Sequence, residues 1–261
     1  MTMMKWMKIG GPISMLLILM LLAAGCGTTN KANVEPIAGT AAPETVPEQT
    51  SEPCYAEIEW VDFLMINDIR YSHNYDATKP VPADQLGDKV GEVSFKVSDN
   101  ACTDHVTKNG DAAFLPVGTV IYALEGYRSD FRVVADNKIY EVEENPKAAT
   151  IGDLLDIAGK VDKVSLESGM DSSPLGDFTK EASEEFIREL LPLKNVGFDA
   201  VYKQTKHDYG VFLRVHLQDG TSFRMVYYPK GNAFTAGAFG TDRLKELIMT
   251  QRQQIKAAAG M

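Results

Sequence analysis

Histidine and cysteine are scarce, four and three among 261 residues, which leaves little from which to build a metal or thiol centre. His73, His105, His207 and His216 have no spacing that defines a metal site. No His-Glu-x-x-His, Gly-x-Ser-x-Gly or calcium-loop pattern occurs. Basic charge is short as well: 26 Lys and Arg stand against 36 Asp and Glu, a net charge of −10. Such a surface repels nucleic acid and offers anionic lipid no polybasic face. These shortages argue against a motif-bearing enzyme, imply no cofactor, and exclude a nucleic-acid partner.

The first 26 residues carry the clearest signal. Met1 to Lys8 is short and holds two lysines, and Ile13 to Ala24 is apolar with no charge until Lys31. A charged start followed by an apolar run of this length is a secretory signal, too short to span a bilayer comfortably. Leu22-Ala23-Ala24-Gly25-Cys26 resembles the lipobox of bacterial lipoproteins, with Ala23 where Leu is commoner. The resemblance implies diacylglyceryl transfer to the Cys26 thiol, cleavage after Gly25, and acylation of the new amino terminus, palmitate being a typical chain. It places the mature protein outside the cytoplasm, lipid-anchored to the membrane, on its outer leaflet in a Gram-positive cell. Removing residues 1–25 takes two lysines and no acid from the net −10, leaving −12.

Residues 27–53 contain Pro36, Pro43, Pro47 and Pro53, four glutamates and no aromatic residue. A segment this poor in apolar groups stays disordered, and as a coil it holds its ends roughly 30 Å apart. The expected organisation is a signal peptide over 1–25, a lipidated tether over 26–53, a strand-rich unit over 54–146, an α+β unit over 147–252 and a frayed tail over 253–261.

The body reads as α+β: a small antiparallel barrel-like or curled sheet, then an antiparallel sheet with two helices. In the first unit, strands are expected at 58–66, 90–97 (Val93, Phe95 and Val97 sharing a face), 119–124, 131–135 and 138–142. Asn67-Asp68 reads as a turn into Ile69-Arg70-Tyr71, and Asp136-Asn137 has the composition of a two-residue hairpin turn. In the second, 161–166, 198–204, 209–217 and 222–228 read as strands, and Thr179 and Thr241 as caps of helices. At Asp219-Gly220 a two-residue turn would pair apolar Val215 with the face carrying Arg224. A three-residue loop with Gly220 left-handed shifts the parity, continuing the face of Val211, Leu213, Val215 and Leu217 as Phe223, Met225 and Tyr227. Register follows the buried face, so the bulged turn is expected.

That register puts Arg214, His216 and Arg224 on one side of the sheet, a candidate anion patch unless the protein's own carboxylates occupy it. Cys54 and Cys102 remain once Cys26 is acylated, and an oxidising compartment invites a disulfide between them. Cys102-Thr103-Asp104-His105 also sets a thiolate and an imidazole three apart, which with Cys54 is a weak candidate metal or redox pair; free buried thiols are the third alternative. Gly237-Ala-Phe-Gly240-Thr241 lacks the Lys-Ser/Thr of a phosphate loop. Ser98-Asp99-Asn100 lacks the Ser-x-x-Lys and Lys-Thr-Gly that accompany it in penicillin-binding enzymes, so both read as turns. Beyond the signal, Val117–Tyr127 and Leu217–Ser222 resemble stretches of the uncharacterised extracytoplasmic lipoproteins of Gram-positive bacteria, a resemblance that carries over no catalytic residue. The expected function is a non-enzymatic binding or accessory module of the cell envelope whose partner is an envelope protein, a peptide or a wall component. The alternative is a metal- or redox-linked protein using Cys102 and His105, and a third reading is a hydrolase whose site is assembled from distant residues.

Overall fold

The computed structural model describes residues 59–76 and 79–260. The lipobox, Cys26, the tether and Cys54 lie outside them. The described residues belong to one compact unit, Glu52–Met261, with an α+β fold. No helix among them is long and apolar enough to cross a membrane.

Eight strands make the first sheet: β1 (Phe63–Ile66), β2 (Ile69–His73), β3 (Leu86–Glu92), β4 (Phe95–Lys96), β5 (Asp111–Ala112), β6 (Val120–Leu124), β7 (Arg132–Ala135) and β8 (Lys138–Glu144). Their order is β3-β6-β7-β8-β2-β1-β5-β4, antiparallel except for the β4–β5 pair. Both turns form, each a two-residue hairpin connection. Asn67, Asp68, Asp136 and Asn137 all have positive φ, between 50° and 65°, which matches the right-handed twist of the strands they join. Register shifts in β3 bend it along β6, and the sheet curls into a half-barrel. The curl brings together strands far apart in the order: a Cβ on Gly91 of β3 would lie 3.2 Å from Ile66 Cγ2 of β1. Ile66, Ile69, Tyr71, Ile121, Val133 and Tyr140 fill the interior.

The strand expected over 90–97 is broken. β3 ends at Glu92, β4 is two residues long, and a short helix, α1 (Val97–Asn100), takes up Ser98-Asp99-Asn100. Alternation does not distinguish one strand from two that pair differently. Here Ser94 and Phe95 donate to Gly110 O, turning the chain toward β5.

The second sheet runs β10-β9-β11-β12-β13-β14, all antiparallel, from β9 (Val161–Glu167), β10 (Pro174–Asp177), β11 (Val211–Leu217), β12 (Ser222–Tyr228), β13 (Ala233–Phe234) and β14 (Ala238–Phe239). The β11–β12 hairpin has the bulged register: Leu213 opposes Met225, Val215 opposes Phe223, and Gly220 has φ 82°. Leu217 N donates to Thr221 O at 2.8 Å, closing a three-residue loop. Two helices cover the apolar face, α3 (Lys180–Leu190) and α5 (Asp242–Ala258), capped by Thr179 and Thr241 through bonds to Ala182 N and Leu244 N. Between β8 and β9 lies one helical turn, α2 (Ile151–Leu154), closed by a capping box between Thr150 and Asp153.

Two expectations are corrected. Residues 198–204 form a helix, α4 (Phe198–Thr205), in place of a strand, and the second half has more than two helices. The spacing Phe198, Val201, Tyr202, Thr205 is helical. Val201 and Thr205 are buried one turn apart while Phe198 and Tyr202 face out. Nor does the chain fray after 252: α5 continues to Ala258 because Gln251 and Ile255 extend its buried stripe onto β10. The approach is close enough to require glycine, since a Cβ on Gly176 would lie 2.8 Å from Ile255 Cγ2. Gly176→Ala is therefore expected to lower stability by about 1–3 kcal/mol by overpacking. Ile255→Ala removes that carbon, so in urea unfolding it should cost less in the Gly176→Ala background than in the parent.

Candidate functional site

The sheets meet along a polar seam. Arg132 of β7 is fully buried and stacks on Tyr127, 4.7 Å from its ring centre. Its guanidinium donates to Glu141 Oε1 through both Nε, at 2.7 Å, and Nη2, and to Thr221 Oγ1 at 2.8 Å. Asp219, in the β11–β12 loop, lies 3.4 Å from Arg132 Nη1 and accepts from Tyr127 Oη at 2.6 Å. Asn74 Nδ2 bridges Glu141 Oε1 and Ser222 O at 2.9 and 3.1 Å. Burial pushes the Glu141 carboxyl above the ordinary carboxylate range, and the Arg132 guanidinium pulls against it.

The candidate anion patch belongs to this seam. Arg214, His216 and Arg224 do share a face, Arg214 and Arg224 directly opposite each other across the β11–β12 pair. Buried Glu167 of β9 takes Arg214 Nε on one oxygen and lies 3.3 Å from Arg224 Nε with the other, and Arg214 Nη1 pairs with Asp76 at 2.7 Å. Arg224 also caps the Phe212 ring, and His216 Nε2 bonds Ser165 Oγ at 2.8 Å. Burial holds His216 below the usual histidine value. Arg214 and Arg224 are thus bonded to the protein's own carboxylates, the alternative that the sequence left open beside an anion patch.

The weak metal pair is corrected too. Cys102 is disulfide-bonded, so it offers no thiolate; Cys54, its expected partner, lies outside the described residues. His105 Nε2 sits 2.7 Å from buried Asp111 Oδ2 and the ring stacks on Phe95. Among the described residues no three His, Cys, Asp or Glu side chains group as metal ligands. His73 lies 3.3 Å from Asp62, whose other oxygen accepts from Tyr140 Oη at 3.0 Å. Burial lowers the His73 pKa, against the pull of Asp62.

Concave surface opens beside this seam. A cleft of about 540 Å³ is walled by Arg70 of β2, Glu143 and Glu144 of β8, Asn145 just after it, Asn195, and the Gly197–Asp199 start of α4. A neighbouring hollow of about 300 Å³ shares Glu143, Leu154 and Ala236 with it and reaches His73, Asp76 and Arg224. Both have the size at which small ligands or polymer segments are held. Arg70 Nε donates to Glu143 Oε2 at 2.9 Å, and Ser72 Oγ to the same oxygen at 2.7 Å. Asn195 Nδ2 donates to Ala148 O and its Oδ1 accepts from Gly197 N, fixing the loop that opens α4. Gly197 has φ 80° and caps α4 with no side chain, so the amides of the first turn keep no side-chain acceptor.

Sequence reasoning singled out none of these cleft residues for function. They come from stretches around 70, 143–148, 195–199 and 236, and the strand assignment of 198–204 hid the one local signal, a helix start with an outward aromatic. No protein-family model, no curated protein and no solved structure matches the chain.

Proposed function

We propose that the chain is a membrane-anchored extracytoplasmic lipoprotein whose folded body is a non-enzymatic binding or accessory module of the cell envelope. The lipobox ending at Cys26, followed directly by a proline- and glutamate-rich tether, carries the reading. Two or three acyl chains, each CH₂ worth about 0.8 kcal/mol, give lasting attachment, and the tether lets the body reach its partner. The fixed state of the cleft groups supports the binding half. Glu143 is held by Arg70 and Ser72, and Asn195 by Ala148 O and Gly197 N, so the walls are hydrogen-bonded in place. A preorganised wall favours recognition of an envelope protein, a peptide or a wall component.

The chain purified in mild detergent should sediment with insoluble cell-wall polymer and leave the polymer's soluble fraction unchanged. Steady release of soluble fragments would mark an enzyme and overturn the reading, and failure to sediment would exclude a wall component as the partner.

A further inference from the structure

We propose that the cleft at the start of α4 binds a glycan segment of neutral or amino sugars. The inference rests on the reading of the body as an envelope binding module and names its ligand class.

Three independent observations converge there. Asn145, 6 % exposed, lines the cleft. Its Oδ1 accepts from Lys147 N at 3.0 Å, and no acceptor among the described residues meets its Nδ2. With its oxygen fixed by Lys147 N and its Nδ2 still open to solvent, Asn145 presents a positioned donor to an acceptor held in the cleft. The uncapped first turn of α4 adds backbone donors along the same wall.

The charge of the cleft decides which acceptor this is. One cation, Arg70, faces three carboxylates, Glu143, Glu144 and Asp199. Phosphates and polyanions are repelled by that balance, and Asp199 in the first turn of α4 already complements the helix dipole. An uncharged ligand that both donates and accepts is suited to it. Vicinal hydroxyls do both, the carboxylates taking their protons and Asn145 and the amides bonding their oxygens. An ammonium on the sugar ring gains further from the carboxylates.

The third observation is aromatic. Phe198 and Tyr202, one turn apart on α4, are 47 % and 52 % exposed, with ring centres 5.8 Å apart and planes 26° off parallel. Phe198 itself lines the cleft. Exposed aromatic surface beside a polar wall offers the C–H face of a pyranose ring a place to lie, and an amino sugar a cation–π contact.

Saturation-transfer NMR and calorimetry of the full chain in mild detergent, with the N-acetylglucosamine tetramer and its deacetylated counterpart as probes, test the proposal. Saturable binding of at least one probe is expected, weakened tenfold or more by Phe198→Ala and by Asn145→Ala. Tyr209→Ala, an exposed aromatic away from the cleft, should leave it unchanged. Phe198 is a surface residue, so its variant keeps the test valid if Asn145→Ala fails to fold. Absence of saturable binding, or equal affinity in Phe198→Ala, overturns the proposal. If the chain still sediments with wall polymer, the binding-module reading survives that failure. Shortening of the tetramer during titration would instead keep the sugar site and overturn the non-enzymatic reading.

Discussion

Arg132→Met should cost about 3–5 kcal/mol of folding stability, the largest loss expected from any single substitution at the seam. The guanidinium is fully buried, holds Glu141 through two of its nitrogens, bonds Thr221, and lies against Tyr127. Methionine replaces most of the stem's packing and none of the charge. Glu141 is then left as a carboxylate in a site whose burial already raises its pKa. Deprived of its cation, it rises further, and the pH dependence follows from that direction. A carboxyl with a folded pKa above its unfolded value contributes stability at low pH that is lost as pH rises through the folded pKa. The deficit of Arg132→Met relative to the parent should therefore be larger at pH 8 than at pH 5 in urea unfolding. Adding Glu141→Gln removes the stranded charge, so the double variant should be more stable than Arg132→Met, with a deficit relative to the parent that is nearly flat across that range. A deficit below about 1 kcal/mol, equal at both pH values, would mean that the pair contributes only packing.

Much of the second sheet was legible because its pattern had one solution. Val211, Leu213, Val215 and Leu217 alternate without interruption, and only a bulged loop at Gly220 lets Phe223, Met225 and Tyr227 join them in the core. Asn67-Asp68 and Asp136-Asn137 announced their turns through side chains that tolerate left-handed backbone. Short elements were not legible. β5, β13 and β14 are two residues each, below any periodicity, and exist because neighbouring strands supply their bonds. α4 was misread for a different reason: over seven residues the alternating set Phe198, Ala200 and Tyr202 fits about as well as the helical set Phe198, Val201 and Tyr202, and Thr205, which breaks the tie, is a polar residue buried at 2 % exposure.

The candidate site divides along the same line. That Arg214, His216 and Arg224 share a face followed from register. That Glu167 and Asp76 occupy them did not, because β9 and the segment after β2 reach them only through tertiary packing. The fully buried Arg132 was also invisible, since a basic residue at the start of a strand reads as solvent-facing until the second sheet closes over it. Polar seams are pairings between distant segments, and a single sequence records the partners without recording that they meet.

Cys26→Ser should abolish acylation completely. In the proposed lipidation the thiol sulfur accepts the diacylglyceryl group, and a serine hydroxyl would not replace it as a nucleophile at neutral pH. The parent is expected to have an intact mass starting at Cys26 with two or three acyl chains added, and to incorporate labelled palmitate. The variant should incorporate none and should keep residues 1–25, because cleavage after Gly25 follows lipid attachment in proteins bearing this signal. Its only hold on the bilayer would be the Ile13–Ala24 run, shorter than the roughly 20 apolar residues a stable span needs. Alkaline carbonate should therefore extract most of the variant and little of the parent. Stability of the folded body gives the matching control. Cys26 lies 28 residues before Cys54, so urea unfolding of the variant should coincide with that of the parent. Equal palmitate incorporation in both chains, or a parent mass that retains Met1, would dismiss the lipoprotein reading. Loss of palmitate with an unchanged unfolding midpoint would make the anchor a separable address attached to an independently stable body.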